Sequence, residues 1–166
     1  MKKIKLPITD KKILKSLKEG DFVYLSGCVY SARDATHKKL LEYIKSGKKL
    51  PLDIKNASFY YMGPSPARPG QVSGSAGPTT SRRMDSYTEP LLRHGLKVMI
   101  GKGERTEEVK KAIKKYGAVY FGTVGGAGAY LAKCIKKMEC AAFPELGPEA
   151  LYRLELEDFP AILISI

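Results

Sequence analysis

Val98-Met99-Ile100-Gly101-Lys102-Gly103-Glu104-Arg105-Thr106-Glu107-Glu108-Val109-Lys110-Lys111-Ala112-Ile113-Lys114-Lys115-Tyr116-Gly117-Ala118-Val119-Tyr120-Phe121 is the stretch on which the fold turns. Residues 98–100 read as a short strand, 106–116 as a helix stopped by Gly117, and 118–121 as a second strand. The same alternation continues on both sides. Upstream, 3–8 is a short extended lead-in, and 10–18 is a helix with Thr9 or Asp10 as N-cap and Gly20 just past its end. Residues 22–30 are an apolar, β-rich buried strand. Ser31 then caps a helix over 33–44 that ends before Gly47, and 57–62 is an aromatic strand. Residues 81–93 have helical character but Pro90 interrupts them. Downstream come a glycine-started helix over 125–137, a strand over 139–143, and two last strands over 151–157 and 161–166. The last of these is expected to form a short sheet edge. Strands alternating with helices specify a single α/β domain over 1–166, a layered sheet with flanking helices.

Between the 57–62 strand and the next helix lies Gly63-Pro64-Ser65-Pro66-Ala67-Arg68-Pro69-Gly70-Gln71-Val72-Ser73-Gly74-Ser75-Ala76-Gly77-Pro78-Thr79-Thr80. It is rich in glycine, proline and small residues, with almost no apolar bulk. Loops this long without regular structure are usually functional or disordered.

The 166 residues are 43% hydrophobic and 28% charged, ordinary soluble usage that argues against disorder and fibrous classes. No apolar run reaches the ~20 residues of a membrane span. The basic start Met1-Lys2-Lys3 is not followed by a long apolar stretch, so a secretory leader is not expected. Cys28, Cys134 and Cys140 form no close pair and read as plain thiols of a reducing, cytoplasmic setting. The net charge of +12 is uneven. Residues 1–50 hold 13 Lys/Arg against 5 Asp/Glu, a net of +8, and residues 141–166 hold 1 against 5, a net of −4. A bound anion, an acidic partner or solubility would each account for the excess.

Most cofactor motifs fail. Gly101-Lys102-Gly103 and Gly126-Ala127-Gly128 lack the third glycine of a dinucleotide fingerprint, and no Walker-type phosphate loop exists. With His37 and His94 the only histidines, a histidine-based zinc site is not expected. Three other segments do point to anions: Ser31-Ala32-Arg33-Asp34-Ala35-Thr36-His37, Gly77-Pro78-Thr79-Thr80-Ser81-Arg82-Arg83-Met84-Asp85, and Gly101-Lys102-Gly103. Each sets a cation beside glycine or a helix start, where free backbone N–H groups and arginine suit carboxylate or phosphate. All three follow strands, the place where ligands bind in α/β sheets. They are expected to converge on one anion site.

These residues carry a resemblance. The run from Gly63-Pro64 to Thr79-Thr80-Ser81-Arg82-Arg83-Met84-Asp85, with Arg33-Asp34-Ala35-Thr36-His37-Lys38 upstream, resembles the β chain of class I iron–sulfur fumarases and L-tartrate dehydratases. Gly122-Thr123-Val124-Gly125-Gly126-Ala127-Gly128-Ala129, Phe143-Pro144-Glu145-Leu146-Gly147-Pro148-Glu149-Ala150 and Leu156-Glu157-Asp158-Phe159-Pro160-Ala161 also match, so nearly the whole chain is covered. One departure is Arg82, where glycine is frequent in the family. The resemblance implies a swivelling β/β/α domain and reversible hydration of fumarate to malate. It also implies a four-iron–four-sulfur cluster ligated by three cysteines of a partner α subunit and not by this chain. Assembly would be a heterodimer or α2β2, with a homodimer conceivable for the isolated chain. Activity is expected only with the α subunit. By the resemblance Arg33, Arg83 and Lys102 become substrate-binding cations and Thr79 the catalytic base; Thr80 is a candidate supporting group, and His37, one helical turn from Arg33, either supports that arginine or packs in the core. From the residues alone, Thr79 is equally well an N-cap, because a threonine hydroxyl is a poor base unless neighbouring cations lower its pKa.

Within the same family, L-tartrate dehydratase is the alternative. A basic nucleic-acid-binding module is the alternative from another class. The +12 charge favours that module, but no RNP, KH or helix-turn-helix pattern accompanies it. Phe59-Tyr60-Tyr61 could stack bases, but has no interleaved basic residues and reads as core. Neither nucleic acid nor membrane is expected as a partner.

Overall fold

Two long strands organise the computed structural model, which describes residues 2–166. β2 (Phe22–Ser31) and β7 (Leu151–Ser165) pair antiparallel along almost the whole of β2, from Phe22 opposite Ile162 to Ser31 opposite Tyr152. Each has shorter neighbours on its other side. β2 takes β1 (Lys2–Leu6) beside its first half and β3 (Ser58–Tyr60) beside its end, both parallel. β7 takes β6 (Ile135–Ala142) beside its first half and β5 (Val119–Gly122) beside its end, both antiparallel. Parallel pairing of β3 with β4 (Val98–Gly101), and of β4 with β5, completes a ring β2-β3-β4-β5-β7. The sheet therefore closes on itself, with β1 and β6 as its free edges, and is not an open layer. β7 lies in its middle, not at the expected short edge.

Alternation along the parallel strands builds two cores. Val98, Ile100, Val119, Phe121 and Tyr60 point into the ring and meet Val23, Leu25, Leu154, Phe159 and Leu163. Phe59, Tyr61, Met99 and Tyr120 point outward, under the helices. Burial on both faces is why these strands read as unbroken apolar runs. The covering helices are α2 (Asp34–Lys45), α3 (Asp85–Arg93, preceded by a 3-10 turn Ser81–Met84) and α4 (Glu107–Tyr116). Gly117 ends α4 at φ +59, the left-handed cap the sequence asked for. α1 (Lys11–Lys15) starts at Asp10, whose carboxylate accepts from the Lys12 N–H at 2.8 Å. No described helix is long and apolar enough to cross a membrane.

Several expectations need correction. α5 is only Gly128–Lys133, because from Ile135 the chain pairs with β7 and buries Ile135. The two expected last strands are one. Asp158 takes φ +46 where the β2–β7 register shifts, and its N–H donates to the Ser26 hydroxyl at 2.9 Å, so pairing resumes through Pro160. Ser31 does not cap α2. Its hydroxyl accepts from the Tyr152 N–H at 3.2 Å, and Glu149 Oε1 accepts from the Ala35 N–H at 3.3 Å instead. Pro90 sits inside α3 without ending it. The carbonyl it leaves unpaired is that of exposed Ser86, which solvent can satisfy. At Gly27, φ is +119 and a Cβ would strike the Leu6 carbonyl, so only glycine lets β1 lie this close.

Candidate active site

The C-terminal ends of β2, β3, β4 and β5 lie on one rim, because these four strands are parallel. Arg33 follows β2, Lys102 follows β4, and Thr123–Gly128 follows β5 on that rim. The 61–80 loop leaves β3 and comes back to it: the Thr79 N–H donates to the Tyr61 carbonyl at 2.6 Å. Thr80 then bridges Lys102 in parallel, with the Ser81 N–H donating to the Lys102 carbonyl at 3.0 Å. The far part of the loop is tied down. Ser65 N–H donates to Ser75 O at 3.0 Å, the Tyr60 hydroxyl donates to Ala76 O at 2.5 Å, and Ala76 N–H donates to Gly128 O at 3.1 Å. A segment with little apolar bulk is thus ordered by backbone hydrogen bonds and one buried tyrosine.

Arg33 stands at the N-cap position of α2, with its Nε buried and unpaired and Glu149 Oε1 3.9 Å away. Its chain crosses Gly63, where a Cβ would sit 2.8 Å from Arg33 Cδ, so a side chain at 63 would push the arginine out of this path. Arg83 reaches the same place from the 3-10 turn and grips Asp34 with two hydrogen bonds, Nε–Oδ1 at 3.2 Å and Nη2–Oδ2 at 2.6 Å. Lys102 is half-buried, makes no ion pair among the described residues, and runs towards Gly125, whose Cβ would lie 3.9 Å from its Nζ. Arg33 and Arg83 are therefore brought together through Asp34, and Thr79, Thr80 and Lys102 through the bridge. Thr79 is half-buried, and its hydroxyl makes no hydrogen bond among the described residues. The residue before the 3-10 turn is Thr80, and it makes no side-chain cap bond, so the N-cap reading of Thr79 does not hold.

His37 is fully buried against Phe59, Tyr61 and Tyr87. Burial, chiefly, pushes its pKa down to about 4, so the ring is neutral near pH 7. Nδ1 lies 2.7 Å from the Arg33 carbonyl and must donate to it, which leaves Nε2 as an unpaired acceptor. His37 touches the backbone that carries Arg33 and does not reach the rim.

Sequence reasoning missed the struts. Arg105 is buried and donates to Asp85 at 2.6 Å, to Thr88 at 2.7 Å and to the Tyr61 hydroxyl at 3.3 Å, with its guanidinium over the Tyr61 and Tyr120 rings. Asp85 also accepts from the Thr106 N–H at 2.8 Å. Tyr120 donates to the Gly103 carbonyl at 2.7 Å, and the Ser81 hydroxyl donates to Tyr120 at 2.8 Å. These groups lock the segment behind Arg83 to the segment behind Lys102. Asp85 stood in a motif already singled out. Nothing local distinguished Arg105 from the other surface-type cations of a basic chain. Phe59, Tyr60 and Tyr61 are each 0% exposed, so they cannot stack nucleotide bases.

Among the described residues, no three His, Cys, Asp or Glu side chains gather as metal ligands. Cys28 is on β2, Cys134 follows α5, and Cys140 is exposed on β6. The donor set of an iron–sulfur cluster is not assembled by these side chains.

Known proteins are similar to this chain in sequence. The fumarate hydratase class I, anaerobic, of Escherichia coli is 47% identical over 142 residues, covering 84% of this chain and 26% of that protein. Fumarate hydratase 2 of Leishmania major is 45% identical over 147 residues, 87% of this chain and 26% of that protein. The chain thus spans about a quarter of the length of these relatives. A Methanocaldococcus jannaschii protein named "Putative L(+)-tartrate dehydratase subunit beta" is 38% identical over 161 residues, 94% of this chain and 83% of its own length. The model of the fumarase C-terminus family matches residues 1–165, and this chain belongs to that family.

Proposed function

We propose that the chain is the β subunit of a two-chain class I fumarate hydratase, a hydro-lyase that interconverts fumarate and malate, and that it supplies the cations that grip the substrate. One observation carries this reading: Arg33, Arg83, Lys102 and Thr79 occupy one rim of a fumarase-family fold. The substrate has two carboxylates. Arginine forks bind carboxylates in pairs of hydrogen bonds, so Arg33 and Arg83 take them, with Lys102 adding a point charge. Dehydration of malate removes a proton from C3. Thr79, with its hydroxyl unengaged, Arg83 four residues on and its neighbour Thr80 bridged to Lys102, is the group on this chain assigned to accept it. His37 fixes the backbone of Arg33, and Thr80 fixes the backbone of Lys102. The domain would swivel to close this rim over its partner.

A four-iron–four-sulfur cluster does not fit the cysteines of this chain, so the reading assigns it to the α subunit, in a heterodimer or α2β2 assembly. L-tartrate dehydratase is the second reading, favoured by the Methanocaldococcus relative, which is close to this chain in length. The experiment is assembly with the cluster-bearing chain, then turnover of fumarate, malate and L-tartrate. Hydration of fumarate with no turnover of tartrate supports the first reading, the reverse supports the second, and turnover of none refutes both.

A further inference from the structure

We propose that Asp34 is the positioning residue of Arg83: it clamps one edge of the guanidinium and so aims the opposite edge at a substrate carboxylate. This deepens the reading of Arg83 as a carboxylate-binding group and rests on it.

A guanidinium has five N–H bonds in one plane. Asp34 takes the side edge, one bond from Nε and one from Nη2. Three N–H bonds remain, two on Nη1 and one on Nη2; the one on Nη2 and the nearer one on Nη1 form the end edge, a second fork of the same shape. Because the group is planar, fixing the side edge fixes the direction of the end edge. Arg83 is half-exposed and, among the described residues, has no other acidic partner, so Asp34 alone sets its orientation.

Asp34 is itself held firmly. It is the first residue of α2, where a carboxylate is favoured by the helix dipole. On one side, His37 N–H and Nδ1 both bond the Arg33 carbonyl, at 2.9 and 2.7 Å. On the other, Glu149 accepts from the Ala35 N–H. The clamp therefore rests on a fixed helix start and not on a mobile loop. An unclamped arginine on a loop would lose several rotamers on binding, and Asp34 removes much of that cost beforehand.

Asp34 also brings a negative charge near a dianionic substrate, which acts in the opposite direction. If repulsion outweighed positioning, removing the charge would tighten binding. The sign of the change therefore decides. In the assembled two-chain enzyme, Asp34→Asn is expected to raise KM for fumarate and malate about tenfold, with kcat within about twofold. Asparagine has the shape of aspartate and its amide oxygen still accepts a hydrogen bond, so folding is expected to persist. Asp34→Glu keeps the charge on a longer arm and is expected to give an intermediate KM. In an Arg83→Ala background, Asp34→Asn is expected to change KM no further, whereas a general structural role would add its effect there. An unchanged or lowered KM in Asp34→Asn, or the same rise persisting in Arg83→Ala, overturns the proposal. Failure of the parent reading looks different: Arg83→Ala alone would then leave KM unchanged.

Discussion

Asp85→Ala should be the most damaging single change near the rim, and the structure says by how much. The Asp85 carboxylate accepts from Arg105 Nε and from the Thr106 N–H. The Arg105 side chain is 0% exposed and that of Asp85 9%, so solvent cannot replace the lost partner. Breaking a buried ion pair from one side leaves an uncompensated charge and costs about 3–5 kcal/mol. That is a large share of the roughly 5–15 kcal/mol that a domain holds in total. With an m-value of about 2 kcal/mol/M, the urea midpoint should fall by about 2 M while m stays unchanged. Thr88 and the Tyr61 ring would still touch Arg105, but neither carries negative charge. The double variant Asp85→Leu/Arg105→Met removes both charges and should recover most of the loss, since apolar pairs commonly match or exceed buried ion pairs. Equilibrium urea unfolding of the chain, followed by circular dichroism, measures both. A fall below about 1 kcal/mol in Asp85→Ala, or a double variant no better than the single, would falsify the view that this pair is a buried strut.

His37 makes stability depend on pH. Its folded pKa of about 4 lies below the ordinary 6.5, so the unfolded chain binds the extra proton first. The stabilisation is fully present above pH 6.5 and is lost as pH falls towards 4, by about 3 kcal/mol at most. His37→Asn keeps a donor for the Arg33 carbonyl and should flatten that slope in denaturation curves taken from pH 7 to 4. In the assembled enzyme, Arg83→Ala should lower kcat/KM by about 10- to 150-fold, and Arg83→Lys should restore only part. Thr79→Val should lower kcat by about 10²–10⁴ with little change in KM if Thr79 is the proton acceptor. Normal turnover with an intact cluster would move the base to the partner. Gly27→Ala should cost about 2–4 kcal/mol, from positive φ and the collision with Leu6, read as a lowered melting temperature.

Local sequence determined what local physics controls. The apolar runs at 98–100 and 118–121, Gly117 past a helix, and Asp10 before another all became the elements expected of them, because caps, breakers and two-sided burial act within a few residues. That the segments around Arg33, Thr79–Arg83 and Lys102 would gather at one rim was legible too, since parallel strands put the residues after them on one side whatever the details of the sheet. Tertiary pairing decided the rest. Residues 134–137 continue a helical pattern, yet β7 offers a ladder for them, and the long-range bonds won over local propensity. Residues 158–160 read as a gap between two strands, yet the Ser26 hydroxyl takes up the Asp158 N–H across the bulge and β7 runs through them. Closure of the sheet could not be read either, because it depends on β7 meeting β2 on one side and β5 on the other, contacts between residues far apart in the chain. For the same reason Arg33, Arg83 and Lys102 could be picked out one by one, while Asp34, Glu149, Asp85 and Arg105, which set their positions, acquire their partners only when distant segments pack.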